Sequence, residues 1–218
     1  MKQKQFKLLV RLITGTKEYT NMQYILDLLV QCNCFEMLLS KNIYIEDDND
    51  KKELQVSLYV FLKTKYPQEI GLMKLLFLRF QMYREYADYS VEKAKEELIS
   101  VHSENKPKAR VAIHEQSALL NAMASYLDAA DYYTKVSLIT PLSRAILTPH
   151  GQSHCMQMSS QALMQAALIQ LQLENLDANV MNLSLDEARK VIMFKGSFVE
   201  CLVIANAYGL NSPAEWIA

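Results

Sequence analysis

The sequence predicts an all-α fold, an irregular α-solenoid of stacked helical hairpins, on three observations. Apolar residues recur at i, i+3, i+4 and i+7 through most of the chain, the period of a helix with one buried face. The 218 residues include only 5 glycines and 5 prolines, too few for the turns of a many-stranded sandwich or barrel, while Leu, Ala, Met, Gln, Lys and Glu are plentiful. Serines stand three places before glutamates at Ser184 and Glu187, Ser197 and Glu200, and Ser212 and Glu215. Each pair fits a capping box, in which the serine oxygen accepts from the backbone N–H at the third helical position and the glutamate reaches back to the serine N–H. The last start has only Pro213, Ala214, Glu215, Trp216, Ile217 and Ala218 behind it, and one turn does not stand alone against the cost of nucleation. Residues 1–218 therefore read as one helical-repeat domain cut from a larger chain. A compact closed bundle is the main rival architecture.

Taken in order, residues 6–13 form a short helix closed by Gly15. Thr20 with Gln23 makes a further capping box, and Met22, Ile25, Leu26 and Leu29 follow on one face, giving a helix over about residues 21–31. Cys32, Asn33 and Cys34 interrupt it, and Phe35, Leu38 and Leu39 restart the period, which predicts an antiparallel helical hairpin. The acidic run at 46–50 lacks the glycine of a calcium loop and reads as solvated loop. Leu54, Leu58, Phe61 and Leu62 line the next helix, which stops near Tyr66 because Pro67 disfavours helical geometry in its predecessor. Pro67 then opens a helix with Leu72, Leu75, Leu76, Phe80, Tyr83 and Ala87 on one face.

Ser90 is expected to cap an amphipathic helix with Val91, Ala94, Leu98 and Val101 inward and its charges outward. The polar stretch 103–108, with Pro107, is the expected mobile connection. Ile113, Leu120, Met123, Ala124, Leu127 and Ala130 sustain a long helix to about Lys135, and a short helix over 142–147 lies between Pro141 and Pro149. Residues 154–173 read as a helix apolar on most sides, with Leu163, Met164, Ala166, Leu168, Ile169 and Leu171. Behind Ser197, the residues Phe198, Cys201, Leu202, Ala205 and Tyr208 share a face, and Gly209 supplies the left-handed residue that ends the helix.

The formal net charge of −1 leaves no broad basic footprint for phosphates, so nucleic acid is not an expected partner. Cys32, Cys34, Cys155 and Cys201 are few and set among helical patterns, as buried reduced thiols of a cytosolic protein would be. No apolar run reaches about 18 residues and no signal-type leader is present, so direct membrane insertion is not expected and any membrane association would come through partners or the rest of the parent chain. His150 and His154, four apart beside Cys155, have the spacing of two metal ligands, yet they sit at a helix entrance with no fourth ligand near. His114 precedes Glu115, but the second histidine of a zinc-protease helix would fall at Ala118. Glu85, Asp88, Asp128 and Asp131 are the carboxylates that an acid–base pair would use, and they read as solvating groups. Arg84, in the cluster Tyr83, Arg84, Glu85 and Tyr86, reads as a bridge between helix layers through a carboxylate. No catalytic, cofactor or metal residues are assigned.

The residues Arg11 to Gly15, Met22 to Leu29 and Phe35 to Leu39, then Phe80 to Tyr86, Asp128 to Ala130, Asn182 to Ser184, and finally Phe198, Ile204, Ala205, Ala207, Tyr208, Leu210, Ala214, Glu215 and Trp216 follow one family pattern in order. In them the chain resembles the C-terminal region of the spatacsin family. It departs from that pattern in its longer acidic stretch at 46–50 and in Pro141 and Pro149. The resemblance implies a non-enzymatic scaffold that mediates protein–protein interactions in the cytoplasm, at late endosomes and lysosomes, in endosomal trafficking and the reformation of lysosomes from autolysosomes. It implies spastizin and the fifth adaptor-protein complex as partners, with no small-molecule substrate and no cofactor. It carries over no binding residues. The other class of function is a generic helical-repeat adaptor of another trafficking or degradation complex.

Overall fold

The structure is a computed structural model that describes residues 8–9, 12–13, 19–32, 34–39, 48–102, 108–139, 149–174, 180–194, 197–210 and 212. Among these the ordered elements are all helical, and backbone contacts group the chain into two compact units, Met1–Met82 and Tyr83–Ala218.

In Met1–Met82 the helices are α1 (Tyr19–Gln31), α2 (Phe35–Leu38), α3 (Asp48–Lys65) and α4 (Ile70–Phe80). α1 packs on α2 and α3, and α3 on α4. Met22 and Leu26 bury the expected stripe of α1, which begins at Tyr19, so that Thr20 lies inside the helix rather than capping it. The expected helical hairpin is not built among the described residues, because α2 is a single turn. Residues 48–50, expected to end the acidic loop, instead open α3. Leu54, Leu58 and Phe61 are fully buried as their spacing requires, and Phe61 packs between Phe35 at 5.8 Å and Tyr66 at 5.5 Å. Pro67 does not open α4. The Glu69 N–H donates to the Tyr66 carbonyl at 3.0 Å, so Pro67 is the second residue of a turn, the position its fixed φ suits. The apolar stripe expected to run on to Ala87 breaks at Gln81, which sits at φ 58° and ψ 32°. The Met82 N–H reaches the Phe77 carbonyl at 2.9 Å and the Gln81 N–H reaches Leu78, a Schellman stop with glutamine in place of glycine.

In Tyr83–Ala218 the helices are α5 (Tyr83–His102), α6 (Lys108–Ile139), α7 (Pro149–Glu174), α8 (Leu185–Phe194) and α9 (Phe198–Ala207). α6 packs against both α5 and α7, and α9 against α7 and α8, the neighbour-on-neighbour stacking of a helical solenoid. Ser90 does not start a helix. It lies buried inside α5, its hydroxyl donating to the Tyr86 carbonyl at 2.9 Å, so the helix itself satisfies the group that would otherwise favour a cap. α6 is turned from its expected orientation. Leu120 and Leu127 are 50% and 46% exposed, while Ala118, Ala122, Tyr126, Ala129, Ala130 and Tyr133 are buried. Small alanines let two neighbours approach, and tyrosines supply the packing bulk, so chain apolarity alone points to the wrong face. Pro149 takes the first position of α7, where its missing N–H costs nothing. Leu168, Ile169 and Leu171 are buried there, but Leu163 is half exposed, so α7 is not enclosed on all sides.

The capping box at Ser184 forms: the Ser184 N–H donates to Glu187 Oε2 at 2.8 Å and the Glu187 N–H to Ser184 Oγ at 3.3 Å. Ser197 takes the cap position of α9 with extended backbone but makes no side-chain cap hydrogen bond. Cys201, Ile204 and Ala205 are buried, whereas Phe198 and Leu202 of the expected face point outward. Gly209, at φ 72°, ends α9 as expected, with the Leu210 N–H on the Ala205 carbonyl at 2.8 Å. Of the expected connection at 103–108, Lys108 opens α6 and residues 103–107 lie outside the described residues, as do the short helix at 142–147 and the unfinished helix after Ser212.

Candidate functional site

Of the four carboxylates singled out in the sequence, Asp88 and Asp128 tie two helices together, while Asp131 pairs within its own helix and Glu85 is exposed. The Tyr86 hydroxyl of α5 donates to Asp128 Oδ2 of α6 at 2.8 Å, and the Tyr133 hydroxyl of α6 donates back to Asp88 Oδ1 of α5. Burial first, then Asp88, pushes the Tyr133 phenol pKa far up, so it remains a donor. Asp131 holds Lys135 at 2.5 Å, and the Lys135 ammonium stands 4.4 Å over the Tyr132 ring, whose edge meets Tyr86 at 4.5 Å. The bridge between layers expected of Arg84 is therefore made by Tyr86 and Tyr133. Arg84 is exposed, because a phenol–carboxylate pair reaches across this closely packed interface without burying a cation. At the entrance of α7, His154 is exposed while Cys155 is 1% exposed on the inner side, and burial raises the Cys155 thiol pKa. The His150 side chain lies outside the described residues, which include no group of three or more His, Cys, Asp and Glu side chains set to hold a metal ion.

A second feature was not legible in the sequence. An open groove of about 630 Å³ lies between α5 and α7, with Tyr126 of α6 beneath and Met181, Asn182 and Leu183 along one lip. Leu98, Ile99 and Met158 make its walls apolar, and Gln161 and Gln165 add amides. Lys95 is its single charged lining residue, exposed and without an ion pair among the described residues. The lip is fixed by Tyr208 at the end of α9, whose hydroxyl accepts from the Leu183 N–H and donates to the Val180 carbonyl, each at 2.9 Å. Gln172 adds a bond from Val180 N–H at 2.9 Å, and Gln165 donates to the Ala207 carbonyl at 3.2 Å. The groove is thus a rigid, largely apolar trough with one cation at its edge, in the size range of ligand and side-chain pockets. The only advance signal was Asn182 in the Asn182, Leu183, Ser184 block, a short polar break between helices.

No helix among the described residues is long and apolar enough to cross a membrane. The family model described as the spatacsin C-terminus matches residues 1–218. The chain is 35% identical over 226 residues to a protein of Dictyostelium discoideum, covering 98% of this chain and 6% of that protein. It is 27% identical over 209 residues to mouse spatacsin, covering 94% of this chain and 8% of spatacsin. No solved structure matches. The chain spans less than a tenth of the length of either relative. On a match that runs from the first residue to the last, over a stacked all-α fold, this chain belongs to the spatacsin C-terminus family.

Proposed function

We propose that this chain is a non-catalytic scaffold segment that docks other proteins in endosome and lysosome trafficking, including the reformation of lysosomes from autolysosomes. The observation that carries the reading is the groove of Tyr83–Ala218: a fixed, mostly apolar trough with a free ammonium at its rim receives a side-chain cluster from a partner and sets its register by charge. Stacked helices suit the role, since each buries its core against its neighbours and leaves the outer surface to partners. By family likeness the partners are spastizin and the fifth adaptor-protein complex, met in the cytoplasm at the surface of late endosomes and lysosomes. The test is affinity capture of the intact parent protein from cells, wild type against Ile99→Glu and Lys95→Glu, both exposed at the groove. Recovery of spastizin or adaptor subunits drops for both variants while expression and helical content hold. Unchanged recovery with both would remove the groove from the partner surface and sink the proposal.

A further inference from the structure

The groove of Tyr83–Ala218 holds a polar group that the packing does not use. Tyr126 of α6 lines it and is 5% exposed, yet no described residue shares a hydrogen bond with its hydroxyl. The oxygen is not among the sealed, unpartnered atoms of the described residues, so it opens on the groove that the ring lines. Tyr86, Tyr133 and Tyr208, the tyrosines that tie elements together, each donate their hydroxyl to an acceptor within the fold. A phenol buried without such a partner leaves a donor that an incoming acceptor satisfies. Burial alone raises the Tyr126 phenol pKa, with no charged neighbour contributing, so the hydroxyl is a donor at neutral pH.

The charge at the same groove has the sign that an anionic acceptor needs. Among the described lining residues Lys95 is the one ion, it has no ion-pair partner among the described residues, and no carboxylate lines the groove. The nearest acidic residues of α5 do not cancel it: Glu92 and Glu96 lie outside the lining, and Glu96 holds Lys93 at 2.7 Å. One ammonium and one phenol match a carboxylate. A phosphate dianion asks for several cations or an open helix N-terminus, and the N-terminus beside the lip is closed by Ser184 and Glu187. The walls around the two groups are side chains of α5 and α7, whose backbone is already paired within each helix. An extended peptide would leave its own N–H and C=O groups unpaired against them, whereas a helix satisfies its own. On α5 the lining runs from Val91 to Ile99, about 12 Å at the helical rise, the length of two turns of an occupant.

We infer that the groove takes an amphipathic helix of a partner protein bearing one carboxylate, which accepts from the Tyr126 hydroxyl and pairs with Lys95 while neighbouring apolar residues pack on Leu98, Ile99 and Met158. This rests on the groove being a partner surface and adds the chemistry that it selects. The test offers the full chain a phage-displayed library of helical peptides randomised along one face. Selected sequences are expected to share one Asp or Glu with large apolar residues three or four places away. Replacing that acid by its amide should weaken binding about tenfold in fluorescence polarisation. Tyr126→Phe and Lys95→Met should each weaken the acidic peptide about fivefold and leave its amide counterpart nearly unchanged, with the thermal midpoint held. Selection of no peptide, selection of peptides without an acid, or equal losses for the acidic and amide peptides overturns the inference. So does tighter binding of a phosphoserine counterpart, or sedimentation equilibrium showing that the groove holds a second copy of the chain. The library contains no trafficking protein, so an acid-selecting groove with unchanged capture from cells removes the proposed partners and keeps this inference. Capture lost with Ile99→Glu, beside a library that selects no acid, removes this inference alone.

Discussion

Tyr208 carries two backbone groups on one hydroxyl, and its loss should be felt at both ends. Tyr208→Phe leaves the Leu183 N–H and the Val180 carbonyl without their partner in a part-buried setting. Unfolding in urea should show a loss of about 1–3 kcal/mol, and the Leu183 amide should exchange faster as the groove lip loosens. Burial, with Glu187 adding, raises the Tyr208 phenol pKa, and burial with Asp88 raises that of Tyr133. A raised folded pKa means that the unfolded chain releases these protons first. The stability they contribute is whole below the ordinary phenol value of 10.0 and is lost as pH rises toward the folded values. The thermal midpoint of the wild type should therefore fall more steeply above about pH 10 than that of the Tyr133→Phe, Tyr208→Phe double variant, in scanning fluorimetry across the alkaline range. Equal slopes would mean that the two phenols titrate alike in both states. None of this was visible residue by residue in the sequence. A tyrosine counts as apolar in a periodicity, and the carboxylate that meets Tyr133 stands 45 positions away.

Among elements, those with local signals were legible and those that depend on a neighbour were not. Ser184 and Glu187 wrote their capping box in adjacent residues, and the box forms. Its backbone and side-chain hydrogen bonds from Ser184 lower the Glu187 carboxyl pKa, so this contribution is present above the ordinary carboxyl range and is lost as pH falls through the folded value. Glu187→Gln should flatten the acid limb of the stability curve, and Ser184→Ala should cost about 1 kcal/mol in chemical denaturation. The break at Gln81 has the opposite character. No glycine or proline announces it, and a glutamine holds the left-handed backbone at which α4 stops. Gln81→Gly should therefore be neutral or stabilise by up to about 1 kcal/mol, whereas Gln81→Val should destabilise by more than that, both read from urea midpoints. A stabilising valine would show that the left-handed conformation is not kept in solution. α6 departs from its expected face for a related reason. Its inner face is chosen by the small alanines that admit α5 and α7, so Leu120 and Leu127 were left outside although they are the more apolar residues.

Within Tyr83–Ala218 the stacking order fixes where stability resides. α6 has a packed neighbour on each side, and the reciprocal Tyr86–Asp128 and Tyr133–Asp88 bonds join it to α5 while Ser159 donates to its Ala130 carbonyl from α7. Opening α6 thus means separating two interfaces at once, whereas α8 has only α9 as a substantial neighbour among the described helices and a short buried set of Ala188 and Ile192. In native-state hydrogen exchange the amides of residues 122–133 should be the slowest of this unit and those of α8 the fastest among its helices. Ala129, with no exposed surface, lies where α6 is most tightly held. Ala129→Leu inserts bulk with no space to receive it and should cost about 1–3 kcal/mol. Because that bulk presses on a shared core, exchange should quicken together in α5, α6 and α7. A change confined to α6 would mean that its two neighbours are not energetically coupled through it, and the stack would then be a row of contacts without a common core.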